Sequence, residues 1–271
     1  MGAFGSNTFF EDSVRGLNIE CIEEFKTKGS KEDDEEQRHE QDMQEWVLRK
    51  ELEVLVMAVM VMVYGQSGTG KSTSLRNFDP QDVSIVNVSG KPMPFKKKLS
   101  TWSTNDYQSI AACLPKIKTP SIVIDDATYL MVDEFMRNAK VTGYQKYTDM
   151  ALNFNNLIEY ARRLPDDKIV YFIGHSEQMD DGREHFKTIG KMLDNYVTLE
   201  GKFTIVLKTV VKDGQYYFST HNNSQDTVKS PMDMWEDDLI PNDLKAVDTT
   251  IREYYGIEIK EETKQKTKEE N

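Results

Sequence analysis

Short apolar runs, each followed by a glycine, a proline or a polar segment, recur along this chain from residue 55 onward. The first run, Leu55 to Tyr64, is unbroken and rich in valine, which favours a strand buried on both faces of a parallel sheet. It is far shorter than the run of about 18 apolar residues that a membrane-spanning helix needs. Further apolar runs predict buried strands at residues 83–88, 121–126 and 168–173.

Helical patterns lie between these strands. Residues 107–114 predict a short helix, and residues 148–164 carry apolar side chains spaced along one helical face. Strands that alternate with helices are typical of an α/β fold with a mainly parallel sheet. Towards the C-terminus, two strands joined by Asp213-Gly214 predict a β-hairpin. A last helix is expected to open at Pro241-Asn242-Asp243.

Composition divides the chain into unequal parts. Residues 28–44 contain almost no apolar side chains and cannot bury a face. Residues 1–56 hold 15 acidic and 7 basic residues, a net charge of −8, which leaves −4 of the total of −12 for residues 57–271. The extension is either an acidic regulatory arm or a dispensable addition. We expect three parts: an acidic, disordered N-terminal extension at residues 1–50, one domain at residues 51–256, and a charged, disordered tail at residues 257–271.

Net charge and cysteine content limit the possible partners and the cellular compartment. After residue 56 the charges nearly balance, so a nucleic-acid partner is allowed, but its contact has to be a local basic patch. Cys21 and Cys113 are the only cysteines, and neither belongs to a C-x-x-C or histidine-paired pattern. This usage favours a reducing, cytoplasmic setting.

A glycine-rich segment follows the first strand directly. Residues 65–72, GQSGTGKS, match G-x-x-x-x-G-K-[ST] in full. Glycines at these positions let successive backbone N–H groups point at phosphate oxygens, and the helix after them adds its positive end. Lys71 is expected to reach the β- and γ-phosphates and the Ser72 hydroxyl to ligate Mg²⁺. The predicted nucleotide-binding residues are Gly65, Gln66, Ser67, Gly68, Thr69, Gly70, Lys71, Ser72 and Thr73.

Two carboxylates end the strand at residues 121–126. The carboxyl end of a strand in a parallel sheet faces the ligand, so Asp125 is predicted to share the Mg²⁺ with Ser72 in a Walker B arrangement. Asp126 is a candidate general base for the attacking water. It could equally cap the helix that follows.

The fourth strand also ends in polar residues, Gly174-His175-Ser176-Glu177. His175 is a candidate sensor of the γ-phosphate or of the attacking water. The alternative for His175 is a hydrogen-bonded structural role. Glu177 rivals Asp126 as the base.

Basic residues cluster in three further segments, two of them beside aromatic side chains or glycines. These residues are either solvated surface or contacts to a DNA backbone and its bases. The candidates are Lys96, Lys97, Lys98, Lys140, Lys146, Arg183, Lys187 and Lys191. In an oligomer, Lys229 could also reach a neighbour's γ-phosphate as an arginine finger does; otherwise it is a surface lysine.

Several stretches together carry a resemblance to a known group. They are GQSGTGKST, SIVIDD, the Gly-His pair at the end of the fourth strand, TIGKMLDNYVTLEG, DTVKSP and IPNDL. With them, the chain from about Met57 to Gly256 resembles phage and prophage AAA-type ATPases with a reduced RecA-like core. That group is classed with single-strand annealing and recombination proteins.

The resemblance implies a RecA-like P-loop NTPase fold, with a mainly parallel sheet flanked by helices and a C-terminal β-hairpin. It also implies ATP and Mg²⁺ at the subunit interfaces of a homo-oligomer and single-stranded DNA along two loops. Because the sequence has no membrane-spanning apolar run, we expect no membrane partner. The function implied is ATP-controlled binding of single-stranded DNA in phage recombination, replication or repair, in the host cytoplasm. RecA proteins place their catalytic glutamate before the Walker B strand, and residues 83–120 contain no glutamate. The identity of the base therefore stays open, and slow turnover is expected.

Two other classes of function fit the same motifs. One is a nucleotide or small-molecule kinase; kinases with this loop usually need a lid that carries several arginines, and only Arg162, Arg163 and Arg183 are available here. The other is a nucleotide-gated binding protein with little turnover.

Overall fold

The computed structural model describes residues 57–179, 182–190, 193 and 197–258. The expectations for residues 1–50 and for most of the C-terminal tail lie outside these residues. Within them the chain forms a mixed α/β fold around one sheet of nine strands. The strands are β1 Val59–Gly65, β2 Val83–Asn87, β3 Ser100–Ser103, β4 Ser121–Asp125, β5 Ile169–Gln178, β6 Glu184–Phe186, β7 Ile205–Lys212, β8 Gln215–Ser219 and β9 Leu239–Pro241.

The strand order places β1 at the centre of the sheet. The order is β3-β2-β4-β5-β1-β7-β8-β9, and β6 pairs with β5 off this path. Strands β1 to β5 and β7 all run parallel to one another. Strand β8 is antiparallel to both β7 and β9, so β9 again runs in the direction of β1. The sheet is therefore mainly parallel, as the sequence predicts.

Helices cover both faces of the sheet. The α-helices are α1 Tyr107–Cys113, α2 Thr128–Arg137, α3 Gln145–Arg162 and α4 Leu244–Tyr255. Alternate residues of β1 point to opposite faces: Met60 and Met62 join a core with α1, α2 and α3. Val61 and Val63 join a second core with α4 and with a 3-10 segment at Ser72–Asn77. Burial on both faces explains why β1 has no alternation of polar residues.

A buried polar network fixes α4 against the sheet. Asp248, 1% exposed, accepts hydrogen bonds from Ser121 Oγ (2.6 Å) and the Tyr171 hydroxyl (2.9 Å). Arg252 Nε donates to the other carboxylate oxygen at 2.9 Å. Asp243 caps the start of the helix, and Gly256 ends it in the left-handed conformation, φ 63°.

Several local predictions were wrong. The segment after the glycine-rich loop is a 3-10 turn instead of a regular helix opening. Three short strands, β3, β6 and β9, were not predicted; each is only three or four residues long. The fourth predicted strand continues to Gln178, so its polar end residues are part of β5. No helix in the described part of the chain is both long and apolar enough to span a membrane.

Candidate functional site

The glycine-rich loop, His175 and the Asp125-Asp126 pair all lie at one edge of the sheet. Strand β5 separates β1 from β4, and the pairing of β1 with β5 sets Gly65 opposite His175. Strand β4 ends at Asp125 on the other side of β5. The carboxyl ends of three parallel strands therefore converge here, which is where ligands bind in open α/β sheets.

The loop from Gly65 to Ser72 is held by its glycines and by one neighbouring strand. Gly68 and Gly70 have φ of 82° and 90°, a conformation that glycine adopts without strain. A Cβ on Gly65 would overlap the Thr209 hydroxyl of β7. That hydroxyl also lies 2.6 Å from Thr69 Oγ1. Thr209 of strand β7 thus contacts the loop at its start, Gly65, and at its middle, Thr69.

Lys71 is a buried cation that faces main-chain oxygens. The residue is 6% exposed, and its Nζ donates to the carbonyl oxygens of Gly65 (3.0 Å) and Gln66 (2.8 Å). Burial lowers its pKa, and the charges of Asp126 and Asp125 oppose that effect. Among the described residues its ammonium forms no ion pair. The Lys71 ammonium is buried near carboxylates but does not pair with them, and such a cation is a suitable partner for a bound anion.

Ser72 and Asp125 are in direct contact. Ser72 Oγ donates to Asp125 Oδ1 at 3.0 Å, and Asp125 is 3% exposed. Burial, with a smaller contribution from Asp126, raises the pKa of Asp125 to about 6. A hydroxyl and a carboxylate oxygen fit Mg²⁺, which commonly takes one or two protein ligands and completes its shell with phosphates and water. The described residues hold no cluster of three or more His, Cys, Asp or Glu side chains that could bind a metal ion, so the site does not resemble an all-protein metal cage.

Asp126 adopts an uncommon backbone conformation beside the histidine. Its φ is 59°, and Oδ1 lies 3.7 Å from His175 Nε2. Its other oxygen lies 3.9 Å from Lys91 Nζ. Helix α2 begins with no side-chain cap, so the capping alternative does not describe this side chain. Aspartate adopts positive φ more readily than most other residues, so the conformation by itself assigns Asp126 no role.

Two residues of α2 hold His175. Its backbone N–H donates to Thr128 Oγ1 at 3.0 Å, and its ring packs edge-on against Tyr129 with centroids 5.6 Å apart. Burial and the neighbouring Lys71 charge lower its pKa. The imidazole is therefore neutral at pH 7 and has one N–H to donate.

Glu177 contacts residues of the β5–β6 hairpin, and another glutamate, Glu184, contacts the loop. Glu177 Oε1 accepts from the Thr188 N–H at 3.2 Å and lies 3.7 Å from His185 Nε2, so it belongs to the β5–β6 hairpin. Glu184 Oε1 lies 3.4 Å from Gln66 Nε2 and accepts from Ser176. No motif marks Glu184, because its position depends on a hairpin that the sequence pattern does not predict.

A lysine of β7 completes this group beside Gln66. Lys208 Nζ lies 3.3 Å from Glu184 Oε2 and 2.9 Å from Asp226 Oδ2. Burial lowers the pKa of Lys208, but the neighbouring Asp226 and Glu184 raise it, and the pKa is raised overall. The Lys208 ammonium therefore stays charged. Lys208, Glu184 and Gln66 line a cavity of about 530 Å³ beside the loop.

The candidate DNA-contacting residues after β2 and α2 lie in two exposed segments. Lys96 and Lys98 are exposed, and Lys97 pairs with Asp79 at 2.7 Å. Lys140 is exposed, whereas Lys146 lies 5.4 Å from the ring centroids of both Phe135 and Tyr147. Exposed aromatic rings accompany both segments, Trp102 at 40% and Tyr144 at 89% exposure.

The remaining basic candidates differ in exposure. Arg183 is exposed and Lys187 is half-buried, with its backbone N–H donating to the His175 carbonyl at 2.8 Å. Lys191 lies outside the described residues. Lys229 is half-buried, and its backbone pairs with Val206 of β7. Burial lowers its pKa, which the charge of Glu200 partly offsets.

Comparison with known proteins gives no family for this chain. A scan against protein-family models finds no match, and a search of curated proteins also finds none.

Proposed function

We propose that this chain is a Mg²⁺-dependent ATPase with a RecA-like core, whose nucleotide site controls binding of single-stranded DNA. The observation that carries the proposal is the 3.0 Å contact between Ser72 Oγ and Asp125 Oδ1, 53 residues apart. That contact lies beside a buried lysine and a loop with two glycines at positive φ. The match of residues 65–72 to G-x-x-x-x-G-K-[ST] does not depend on the fold, and the order of strand and loop agrees with it.

In this proposal the loop binds the triphosphate. Lys71 exchanges the carbonyl oxygens of Gly65 and Gln66 for β- and γ-phosphate oxygens, because an anion is a better partner for a buried ammonium than a neutral carbonyl. Ser72 and Asp125 would hold Mg²⁺, which would neutralise charge on the phosphates. Gly68 and Gly70 let the backbone N–H groups approach the phosphate oxygens.

Hydrolysis then needs a water in line with the γ-phosphorus. Asp126 is the carboxylate best placed to accept its proton, since it lies beside His175 at the end of the strand that carries Asp125. The water oxygen bonds to the γ-phosphorus, the bond to the β–γ bridging oxygen breaks, and ADP and phosphate leave. His175 is neutral and donates one N–H, which suits it to contact the γ-phosphate or the water.

Exposed cations beside exposed aromatic rings support the DNA part of the proposal. Lys96 and Lys98 precede Trp102 on the edge strand β3, and Lys140 precedes Tyr144. Single-stranded DNA is bound by such pairs through phosphate charge and base stacking. Lys229 is assigned a trans-acting role at a subunit interface, where a neighbour's phosphate would compensate for its lowered pKa.

A nucleotide-gated binding protein with little turnover is the second candidate. One observation favours it: Asp126 is surrounded by His175 at 3.7 Å and Lys91 at 3.9 Å. Both side chains can donate hydrogen bonds to the Asp126 carboxylate, so they compete with a water molecule for its oxygens. Glu177 accepts a hydrogen bond from the Thr188 N–H in the β5–β6 hairpin, so Asp126 is the base that we favour.

Nucleotide turnover by four proteins tests the proposal. Phosphate release is measured for the wild type, Lys71→Ala, Asp126→Asn and the exposed-lysine control Lys116→Ala, with Mg²⁺ or with chelator. We expect Lys71→Ala to lose ATP binding and Asp126→Asn to bind ATP but lose turnover by about 100-fold or more. The control should match the wild type. Normal ATP binding by Lys71→Ala would reject the phosphate loop.

The DNA-dependent part has its own test. A fluorescent oligonucleotide is titrated with the wild type and with Lys96→Ala/Lys98→Ala, with and without ATP, at two salt concentrations. We expect the double variant to bind more weakly and to have a shallower salt dependence, by about one unit for each phosphate that a lysine no longer neutralises. Phosphate transfer to an added nucleoside in place of DNA-stimulated hydrolysis would favour a kinase. ATP binding with no turnover in either condition would favour the gated binding protein.

A further inference from the structure

Asn242 has a buried amide group without a partner. The residue is 3% exposed, and neither its amide nitrogen nor its amide oxygen has a hydrogen-bond partner among the described residues. Its backbone is fully engaged: the N–H donates to the Tyr216 carbonyl at 3.1 Å, and the carbonyl accepts from Arg76 Nη1 at 2.8 Å. Buried amides are rarely left unpaired, so this one calls for an explanation such as a ligand.

The amide lies against the glycine-rich loop. A Cβ on Gly70 would stand 3.1 Å from Asn242 Oδ1 and 2.9 Å from Tyr216 Cδ1. Both side chains therefore touch the last glycine before Lys71. Strand β9 runs in the direction of β1, so Asn242, which follows β9, reaches the same edge of the sheet as the loop.

The position of Asn242 and Tyr216 relative to the proposed hydrolytic groups indicates which part of a nucleotide would lie beside them. Asp125 ends β4, Asp126 follows it and His175 lies on β5, all on one side of β1. Tyr216 and Asn242 belong to the β7–β9 side. A nucleotide with its γ-phosphate towards Asp125 directs its sugar and base to the opposite side. Tyr216 is 48% exposed there, and an aromatic ring can stack on a base.

We propose that Asn242 and Tyr216 form the nucleobase subsite of the ATP site, with the base stacked on Tyr216 and its polar edge paired to the Asn242 amide. The inference rests on the proposed function. The adenine N6 amino group donates to Asn242 Oδ1, and an adjacent ring nitrogen accepts from Nδ2, the complementary pairing that asparagine makes with adenine. A rotation of the half-exposed Tyr216 side chain opens the amide to the base.

The test compares Asn242→Leu with the wild type and with Asn156→Leu, an exposed asparagine of α3. Affinity is measured for ATP, for purine riboside triphosphate, which lacks the N6 amino group, and for inorganic triphosphate. We expect the wild type to bind ATP about tenfold more tightly than purine riboside triphosphate. Asn242→Leu should bind these two equally, and it should bind inorganic triphosphate as tightly as the wild type does.

A stability measurement separates a ligand group from a structural one. Leucine has nearly the shape of asparagine, so replacing an unpaired buried amide should leave the melting temperature of the ligand-free protein unchanged or raise it. A lower melting temperature for Asn242→Leu, or an unchanged preference for ATP, would overturn the subsite. Failure of the wild type itself to bind inorganic triphosphate would instead reject the phosphate loop.

Tyr216 gives an independent check. Tyr216→Phe retains the ring and should keep the wild-type affinity for ATP, whereas Tyr216→Ala should bind ATP about tenfold or more weakly, the range for removing a base–aromatic stack. Equal weakening of ATP and inorganic triphosphate binding by Tyr216→Ala would show that the ring supports the loop and not the base, and would overturn its assignment.

Discussion

The buried carboxylate Asp125 should make the ligand-free protein less stable at neutral pH than its Asp125→Asn variant. Burial raises the pKa of Asp125 to about 6, against 3.8 for an unburied aspartate. Between these values the folded protein binds more protons than the unfolded chain, so stability falls as pH rises through this window and levels off above it. Asparagine is isosteric, cannot ionise, and can still accept the hydrogen bond from Ser72.

The size of the effect follows from the two pKa values. Each pH unit that separates them corresponds to about 1.4 kcal/mol, so the ionised carboxylate costs about 3 kcal/mol at pH 7.5. About half of that cost remains at pH 5, and it vanishes well below pH 4. For a domain of about 200 residues, 3 kcal/mol corresponds to a melting-temperature difference of roughly 6–12 °C.

Urea unfolding in the presence of a chelator measures this difference. The wild type, Asp125→Asn and the exposed-aspartate control Asp166→Asn are compared at pH 7.5 and pH 5. We expect Asp125→Asn to exceed the wild type by about 3 kcal/mol at pH 7.5 and by about half as much at pH 5. An Asp125→Asn variant that is less stable than the wild type at pH 7.5, or an advantage that is the same at both pH values, would refute the reasoning.

Two further predictions concern packing. Gly65→Ala should destabilise the protein by about 1–3 kcal/mol in urea unfolding, because the added methyl group overlaps the Thr209 hydroxyl; Gly65→Ala/Thr209→Ala should recover part of that stability, and no recovery would contradict the overlap. Asp248→Ala should cost about 3–5 kcal/mol, since it leaves the buried Arg252 guanidinium without its carboxylate. Replacing both residues, Asp248→Leu/Arg252→Met, should cost less than Asp248→Ala alone, and a larger cost would contradict the ion-pair explanation.

The sequence predicts the parts of the site that follow from local chemistry. A valine-rich run before G-x-x-x-x-G-K-[ST] specifies the strand and loop that carry Lys71 and Ser72, and an apolar run that ends in two aspartates specifies where Asp125 lies on its strand. The order of strands around β1 was not predicted. The strand order depends on how the connections between strands pack against the sheet. Apolar runs of similar composition carry little information about which strands become neighbours.

The remaining site residues depend on long-range pairing. Glu184 reaches Gln66 only because β6 pairs with β5, and the three residues of β6 carry no pattern of their own. Asn242 was assigned to the opening of α4, where Asp243 is the cap. Its contact with Gly70 arises because β9 adds to the sheet edge beside β8. Sequence chemistry thus points to the proposed triphosphate end of the site, and only the fold points to the proposed base end.

Three buried polar groups lie at one edge of the sheet. Burial raises the pKa of Asp125 and lowers that of Lys71, and the Asn242 amide is buried without a partner among the described residues. In the proposed function, each of these groups would gain a partner of matching chemistry from one molecule of Mg²⁺-bound ATP. Because a ligand that binds only the folded state stabilises it, the largest stabilisation should come from the complete nucleotide with Mg²⁺. Inorganic triphosphate with Mg²⁺ should stabilise less, since it leaves the Asn242 amide unpaired.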